Sequence, residues 1–439
     1  MTPRLALTLA GATAIIAVAA IAGDQVVRRS AKPNRVNIVY WEKWTGAEGE
    51  AMRKVVDDFN ESQDRIYVDY LSISGVDQKT MLATAGGNPP DVAGIWQDQI
   101  VQFANAGVLT DLSEMAQQAG LNRDYYIHSY WDALTVRGKL FALPSTPASI
   151  ALYVRSDLVP KDVATPETFP KTLEGLDKLG DRITKRGPHG TLELASFLPS
   201  NPGWWNWAWG PYFGADLLKN GEPDLESPRI EEAFEWVAGY GKRFGPQAIQ
   251  SFQSGFGNFS SPQDPFMEGK VATEMNGVWK GNYIKVYRAD TPWFAVPFPY
   301  PEKHPELAGH SNLSQDVLAI PRAAKHTAEA FEFIRYVQRQ DVMEGLCSSH
   351  GKNSPLQNVS EAFFQNHPNK FIRLFDALAR SPQAFNVPMT GLYPQLGAEL
   401  TNAFQEVNTG VKTPREALHE AQVRLTRLSK IYHAQVDGP

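Results

Sequence analysis

A parallel α/β sheet flanked by helices, arranged in lobes that the chain crosses more than once, is the architecture the sequence predicts. Three observations predict it. Strand-like and helix-like stretches alternate through residues 36–107, the rhythm of a sheet with helices on both faces. A length of 439 residues calls for two to four domains at ~100–200 residues each. No repeat, low-complexity tract or single flexible linker divides the chain, so the lobes are interleaved rather than strung in series.

The elements follow in order. Residues 36–41 (VNIVYW) are β-branched and aromatic and predict a buried first strand. Met52, Val55, Val56 and Phe59 recur at helical spacing within residues 48–60, a face for a helix lying on that strand. Residues 66–71 alternate as a second strand. Residues 78–85 predict a helix halted by Gly86-Gly87, and Pro89-Pro90-Asp91 leads into a third strand at residues 92–96. A helix over residues 99–106 ends at Gly107. Beyond residue 145 the pattern changes, with long helices at residues 229–244, 324–338 and 414–432 separating short strands. Loops rich in Pro and Gly stand at residues 199–214 and 254–266. Ligands of such sheets bind beyond the carboxyl ends of the strands, where Trp41-Glu42-Lys43-Trp44 and Trp96-Gln97-Asp98 stand.

Composition excludes several classes. With 42 Lys+Arg against 48 Asp+Glu, the net charge of −6 leaves no electrostatic footprint for nucleic acid. The single cysteine, Cys347, rules out an internal disulfide and any cysteine-rich metal site. Only residues 5–22 approach a bilayer span; they follow Arg4 and end in the small–x–small pattern Ala20-Ile21-Ala22, which predicts an export signal over residues 1–22. Whether it is cleaved or kept as an anchor stays open, because Arg28, Arg29, Lys32 and Arg35 follow the run against the usual charge bias. A periplasmic location is expected. The 11 tryptophans are the unusual feature, and four of them, Trp204, Trp205, Trp207 and Trp209, fall within six residues.

A set of motifs recurs along the chain in a fixed order. It opens with VNIVYWEKWTG and Pro90-Asp91-Val92, then Ala106-Gly107-Val108-Leu109-Thr110-Asp111-Leu112. Gly138-Lys139-Leu140-Phe141-Ala142-Leu143-Pro144 and Leu152-Tyr153-Val154-Arg155-Ser156-Asp157-Leu158 follow. Phe266-Met267-Glu268-Gly269-Lys270-Val271-Ala272, Gly277-Val278-Trp279, Leu318-Ala319-Ile320-Pro321 and Thr413-Pro414-Arg415-Glu416-Ala417-Leu418 complete it. In these the chain resembles the carbohydrate-binding solute receptors of bacterial ABC importers, the group that includes maltose-binding protein. The resemblance implies a two-lobed periplasmic-binding-protein fold with discontinuous lobes and a multi-strand hinge. Lobe 1 would take residues 36–146 and 310–365, and lobe 2 residues 147–309 and 366–439. Crossings would fall near residues 145–149, 299–311 and 363–370. Two departures stand out: Ser314-Gln315 replaces the family's Gly-Gly pair, and Phe169 replaces a usual Trp.

A sugar presents C–H faces that lie against aromatic rings and a rim of hydroxyls that needs paired hydrogen bonds. Trp205, Trp207 and Trp209 would share one side if their segment were extended, and each is a candidate stacking platform. Trp41, Glu42, Trp44 and Trp96 are candidates as strand-end residues. Asp98, where the resemblance implies a sugar-binding carboxylate, and Trp279, matching the family's aromatic of the second lobe, join them. Thr146, Gln315 and Asn353 are candidate hinge and loop polar groups. No metal site, cofactor motif or catalytic constellation is expected: His-Glu-x-x-His, a Gly-x-Ser-x-Gly elbow, a dinucleotide fingerprint and a P-loop are all missing. The expected protein is a monomeric receptor, not an enzyme, that passes a neutral di- or oligosaccharide to an inner-membrane ABC permease. Two competitors stay open. One is a secreted hydrolase working with two carboxylates. The other is a same-fold receptor for a non-sugar ligand or an acidic sugar, since Lys43, Lys280 and Lys352 lie in or beside the cleft loops.

Overall fold

The computed structural model describes residue 32 and residues 34–436, with side chains to residue 434. The export segment expected at residues 1–22 lies outside them; among the described residues no helix is long and apolar enough to cross a membrane.

The opening follows from hydrophobic period. Strand β1 (Val36–Glu42) buries Ile38, Tyr40 and Glu42 on one face, and helix α1 (Gly46–Ser62) buries Met52, Val55, Val56 and Phe59. Strand β2 (Ile66–Ser72), helix α2 (Val76–Ala85) and strand β3 (Val92–Trp96) continue the alternation. β1 lies between β2 and β3 and pairs in parallel with both. The helix expected over residues 99–106 is a 3₁₀ turn (Gln97–Gln99) followed by Ile100–Asn105. The long helices form at Pro228–Phe244, Thr327–Val337 and Pro414–Val436.

The expectation of a parallel sheet holds for these first strands and for one short edge pair, Ser311-Asn312 with Ala384-Phe385. The centre is antiparallel and is carried by β4 (Ala142–Arg155), a fourteen-residue strand buried along its whole length. Strands β5 (Thr273–Gly277), β6 (Trp293–Val296), β7 (Ser311–Ala319) and β8 (Ala384–Phe385) complete an eight-stranded sheet of order β5-β4-β7-β3-β1-β2, with β6 also on β4 and β8 on β7. The first half of β4 pairs with β7 and its second half with β5 and β6. Such strands reach their partners from distant parts of the chain, so no βαβ crossover forces them parallel.

Two prolines shape the middle of β4. Pro144 and Pro147 have no N–H for the ladder, and the register slips there, Val317 facing Pro144 while Asp316 faces Thr146. Ser145 is the extra residue of this bulge. Further along, His367 donates from Nε2 to the Lys352 carbonyl (3.1 Å), while Asn369 donates to the Val278 carbonyl (3.0 Å).

The core divides into two large apolar clusters, with a small third one of Ile127, Tyr130, Leu313 and Ala379. One gathers β1–β3, α1 and the Thr327–Val337 helix; the other gathers Phe169, Leu176, Phe197, Trp209, Phe234 and Leu400. The first also takes in Phe266, Val278 and Ile284, so apolar packing continues beneath the junction. Phe169, in place of the family's tryptophan, is buried edge-on to Phe294. Trp279 and Phe371 pack against both clusters. The molecule is a two-lobed α/β protein, and its seam carries Trp279.

Candidate ligand-binding site

Along that seam runs a cavity of about 320 Å³. Trp44, Glu48 and Trp96, at the ends of β1 and β3 and the start of α1, form one wall. Trp204, Trp205, Phe259, Trp279 and Tyr283 form the other. The floor is the crossing pair of strands, through Thr146 and Ala148 of β4 and Ser314, Gln315 and Asp316 of β7, closed by Lys352. A smaller cavity of about 170 Å³ shares Trp96, Trp204, Trp205, Ser314 and Gln315 with it and adds Asp98, Trp207 and Tyr393.

Apolar rings dominate the main cavity, and a charge cluster lies in its floor. Lys352 Nζ lies 2.7 Å from Asp316 Oδ2, Lys43 Nζ lies 3.2 Å from Asp316 Oδ1, and Thr146 donates to Asp316 Oδ2 (2.8 Å). Burial alone would raise the Asp316 carboxyl, but Lys352, Lys43 and the Thr146 hydroxyl hold it below the usual carboxylate range. The Lys352 ammonium sits 4.4 Å from the Trp44 ring and 5.9 Å from that of Trp279, one indole from each wall. Burial pushes the Glu48 carboxyl up, against the pull of Lys352. Burial, then the Glu48 charge, raises the Tyr283 phenol, so the two walls are electrostatically in touch. Asp98 is pushed up to about 6 by burial, which outweighs its hydrogen bond from Gln99.

Seven sequence candidates meet here: Trp44, Trp96, Thr146, Trp205, Trp279 and Gln315 line the main cavity, and Asp98 lines the smaller one. Trp207 also reaches the smaller cavity, almost wholly buried and edge-on to Phe385 and Tyr393. The other four do not reach either cavity. Trp41 is directed away by strand alternation and packs on the core. Glu42, on the opposite face of β1, is fully buried; Tyr40 Oη donates to it at 2.5 Å and the Lys43 amide at 2.7 Å. Asn353 is buried behind the floor and donates to Tyr130 Oη (3.0 Å). Trp209 fails because its segment is not extended: Asn206–Ala208 is a 3₁₀ turn and Trp209–Tyr212 helical. The turn carries it into the core against Phe197, Trp236 and Phe298. Lys280 is likewise withdrawn, buried between Asp264 (2.6 Å) and Glu274 (3.1 Å).

Sequence reasoning missed Glu48, Phe259, Tyr283, Asp316 and Tyr393 as lining residues. One had a local signal, since Tyr283 stands four residues after Trp279 at the start of a helix and so shares its side. Phe259 and Tyr393 come from distant segments and had none. Gly277 sets the pose of Trp279, because a Cβ there would run into the indole. Among the described residues no group of three or more His, Cys, Asp or Glu side chains could hold a metal ion.

Comparison with known proteins agrees with this geometry. The family model described as bacterial extracellular solute-binding protein matches residues 54–371, more than half of the chain. An uncharacterized ABC transporter extracellular-binding protein of Pyrococcus horikoshii is 24% identical over 329 residues, 72% of this chain and 72% of that protein. The sn-glycerol-3-phosphate-binding periplasmic protein of Pectobacterium atrosepticum is 22% identical, covering 88% of this chain and 90% of its own. A solved structure of CpMnBP1 with mannobiose bound superposes with a TM-score of 0.78 at 25% identity, over 89% of this chain and 99% of that one. These relatives and neighbours are binding proteins, as the motif order implied. The chain therefore belongs to the bacterial extracellular solute-binding proteins.

Proposed function

We propose that this protein is the periplasmic receptor of an ABC importer, a monomer that captures a di- or oligosaccharide at the seam and delivers it to the membrane permease. The observation that carries the reading is the main cavity itself: five indoles, from Trp44, Trp96, Trp204, Trp205 and Trp279, line one space from two walls over a polar floor. Flat rings take the C–H faces of sugars, and Thr146, Ser314, Gln315 and Glu48 supply the rim of hydrogen bonds. The mannobiose held by a structural neighbour fits this reading. We assign residues 36–146 with 310–365 to one lobe and residues 147–309 with 366–439 to the other. A ligand touching both walls stabilises the closed arrangement through contacts that only that arrangement offers.

The relative that binds a phosphate ester motivates a second reading, an anionic ligand. The cations it would need are already engaged, Lys43 and Lys352 by Asp316 and Lys280 by Asp264 and Glu274. The test is a calorimetric titration with neutral and acidic mono-, di- and oligosaccharides and with glycerol phosphate, followed by chromatography of the ligand. A single saturable site for a neutral saccharide recovered intact is the expected result. Binding of glycerol phosphate alone would move the protein to the second reading, and conversion of the sugar would make it a hydrolase.

A further inference from the structure

The smaller cavity is lined by three residues whose side-chain oxygens nothing engages, two of which, Gln97 and Asn312, do not line the main cavity. Gln97 Oε1, Asn312 Oδ1 and Gln315 Oε1 are buried and have no hydrogen-bond partner among the described residues, and all three residues line this cavity. The amide orientations of the glutamines are fixed from behind. Gln315 Nε2 donates to the Tyr130 carbonyl (2.7 Å), which only a donor can face. Gln97 Nε2 donates to Asn386 Oδ1 (3.1 Å), and Asn386 is oriented in turn by donating to the Ser129 carbonyl (3.0 Å). Both oxygens are therefore the free ends. Asp98 lines the same cavity, and no Lys or Arg does among the described residues. The cation that acts on Asp98, Lys43, is already held by Asp316 and Glu42.

Orphaned acceptors and one carboxyl among the lining residues call for a group that only donates. A hydroxyl brings one donor and two lone pairs of its own, whereas an ammonium brings three donors and no acceptor. We propose that the smaller cavity is an amino-group subsite, in which Asp98, Gln97, Asn312 and Gln315 receive the ammonium of an amino-sugar unit whose neighbouring unit occupies the main cavity. The inference rests on the saccharide reading above. It also gives burial of Asp98 a use, since a carboxyl that is costly to ionise when the cavity is empty gains its counter-charge from the ligand.

The test is a calorimetric titration near neutral pH with the glucosamine disaccharide and with cellobiose, which carries a hydroxyl where the former carries each ammonium. The account predicts that the glucosamine disaccharide binds about tenfold tighter or more, the scale of a charge-assisted hydrogen bond. It also predicts that the preference collapses in Asp98→Asn, whose melting curve reports its folding, and in Gln315→Leu as a second variant. No binding of the glucosamine disaccharide, equal or weaker binding than cellobiose, or a preference that survives both substitutions overturns the proposal. Neutral saccharides binding in the wider panel would leave the receptor reading standing in that case; no saccharide binding at all would remove both.

Discussion

Asp98 shows how a site residue works against the fold that carries it. Its carboxyl is raised from 3.8 to about 6 by burial, so between those values the folded protein holds a proton that the unfolded chain has lost. Stability contributed at this position is present below about pH 4 and is lost as pH rises through about 6. Asp98→Asn should therefore stabilise the unliganded protein at pH 8 by on the order of 1–3 kcal/mol and have little effect near pH 4, read by chemical denaturation at the two pH values. The tryptophans separate by the same logic. Trp209→Ala empties a core site and should cost about 3–5 kcal/mol of stability. Trp205→Ala, at the cavity wall, should cost about 1–3 kcal/mol of ligand affinity. Thermal melts and titration of the two variants side by side check the division.

At the scale of elements, local period was legible and long-range placement was not. The faces of β1, α1 and β3 follow from the positions of apolar residues, and the structure places those elements within two residues of the expected bounds. The reading of Trp205, Trp207 and Trp209 as one stripe assumed a strand, and a 3₁₀ turn at Asn206–Ala208 broke it. The bulge in β4 that sets Thr146 opposite Asp316 had no counterpart in the sequence reading, although Pro144 and Pro147 flank it. Tyr393 and Phe259 join the cavities only through tertiary packing, which no local pattern encodes. The turn after β5 gives a prediction of its own. Because a methyl at Gly277 would occupy the space of the Trp279 indole, Gly277→Ala should displace that ring. Ligand affinity should fall about tenfold, the loss expected of one anchor, in a titration paired with circular dichroism to confirm the fold.

Across the whole molecule, the two large apolar clusters meet at Trp279 and Phe371, so the binding cavity lies where the body is divided. Buried histidines sit near that division. Burial holds His310 down at about 4; burial and the charge of Lys352 hold His350 at about 3. Each stays neutral in the folded state while the unfolded chain takes up a proton below about pH 6.5, so stability is lost as pH falls from there toward about 4. His310→Gln should flatten that slope by on the order of 1 kcal/mol per pH unit in denaturation curves taken across the range. The measurement that tests the central claim most directly is a calorimetric titration of the protein and its Trp279→Ala variant with the neutral oligosaccharide panel. The account predicts one saccharide bound at a single site and recovered unchanged, with affinity reduced about tenfold or more in the variant. Absence of binding by every saccharide, or binding that Trp279→Ala leaves untouched, would contradict it.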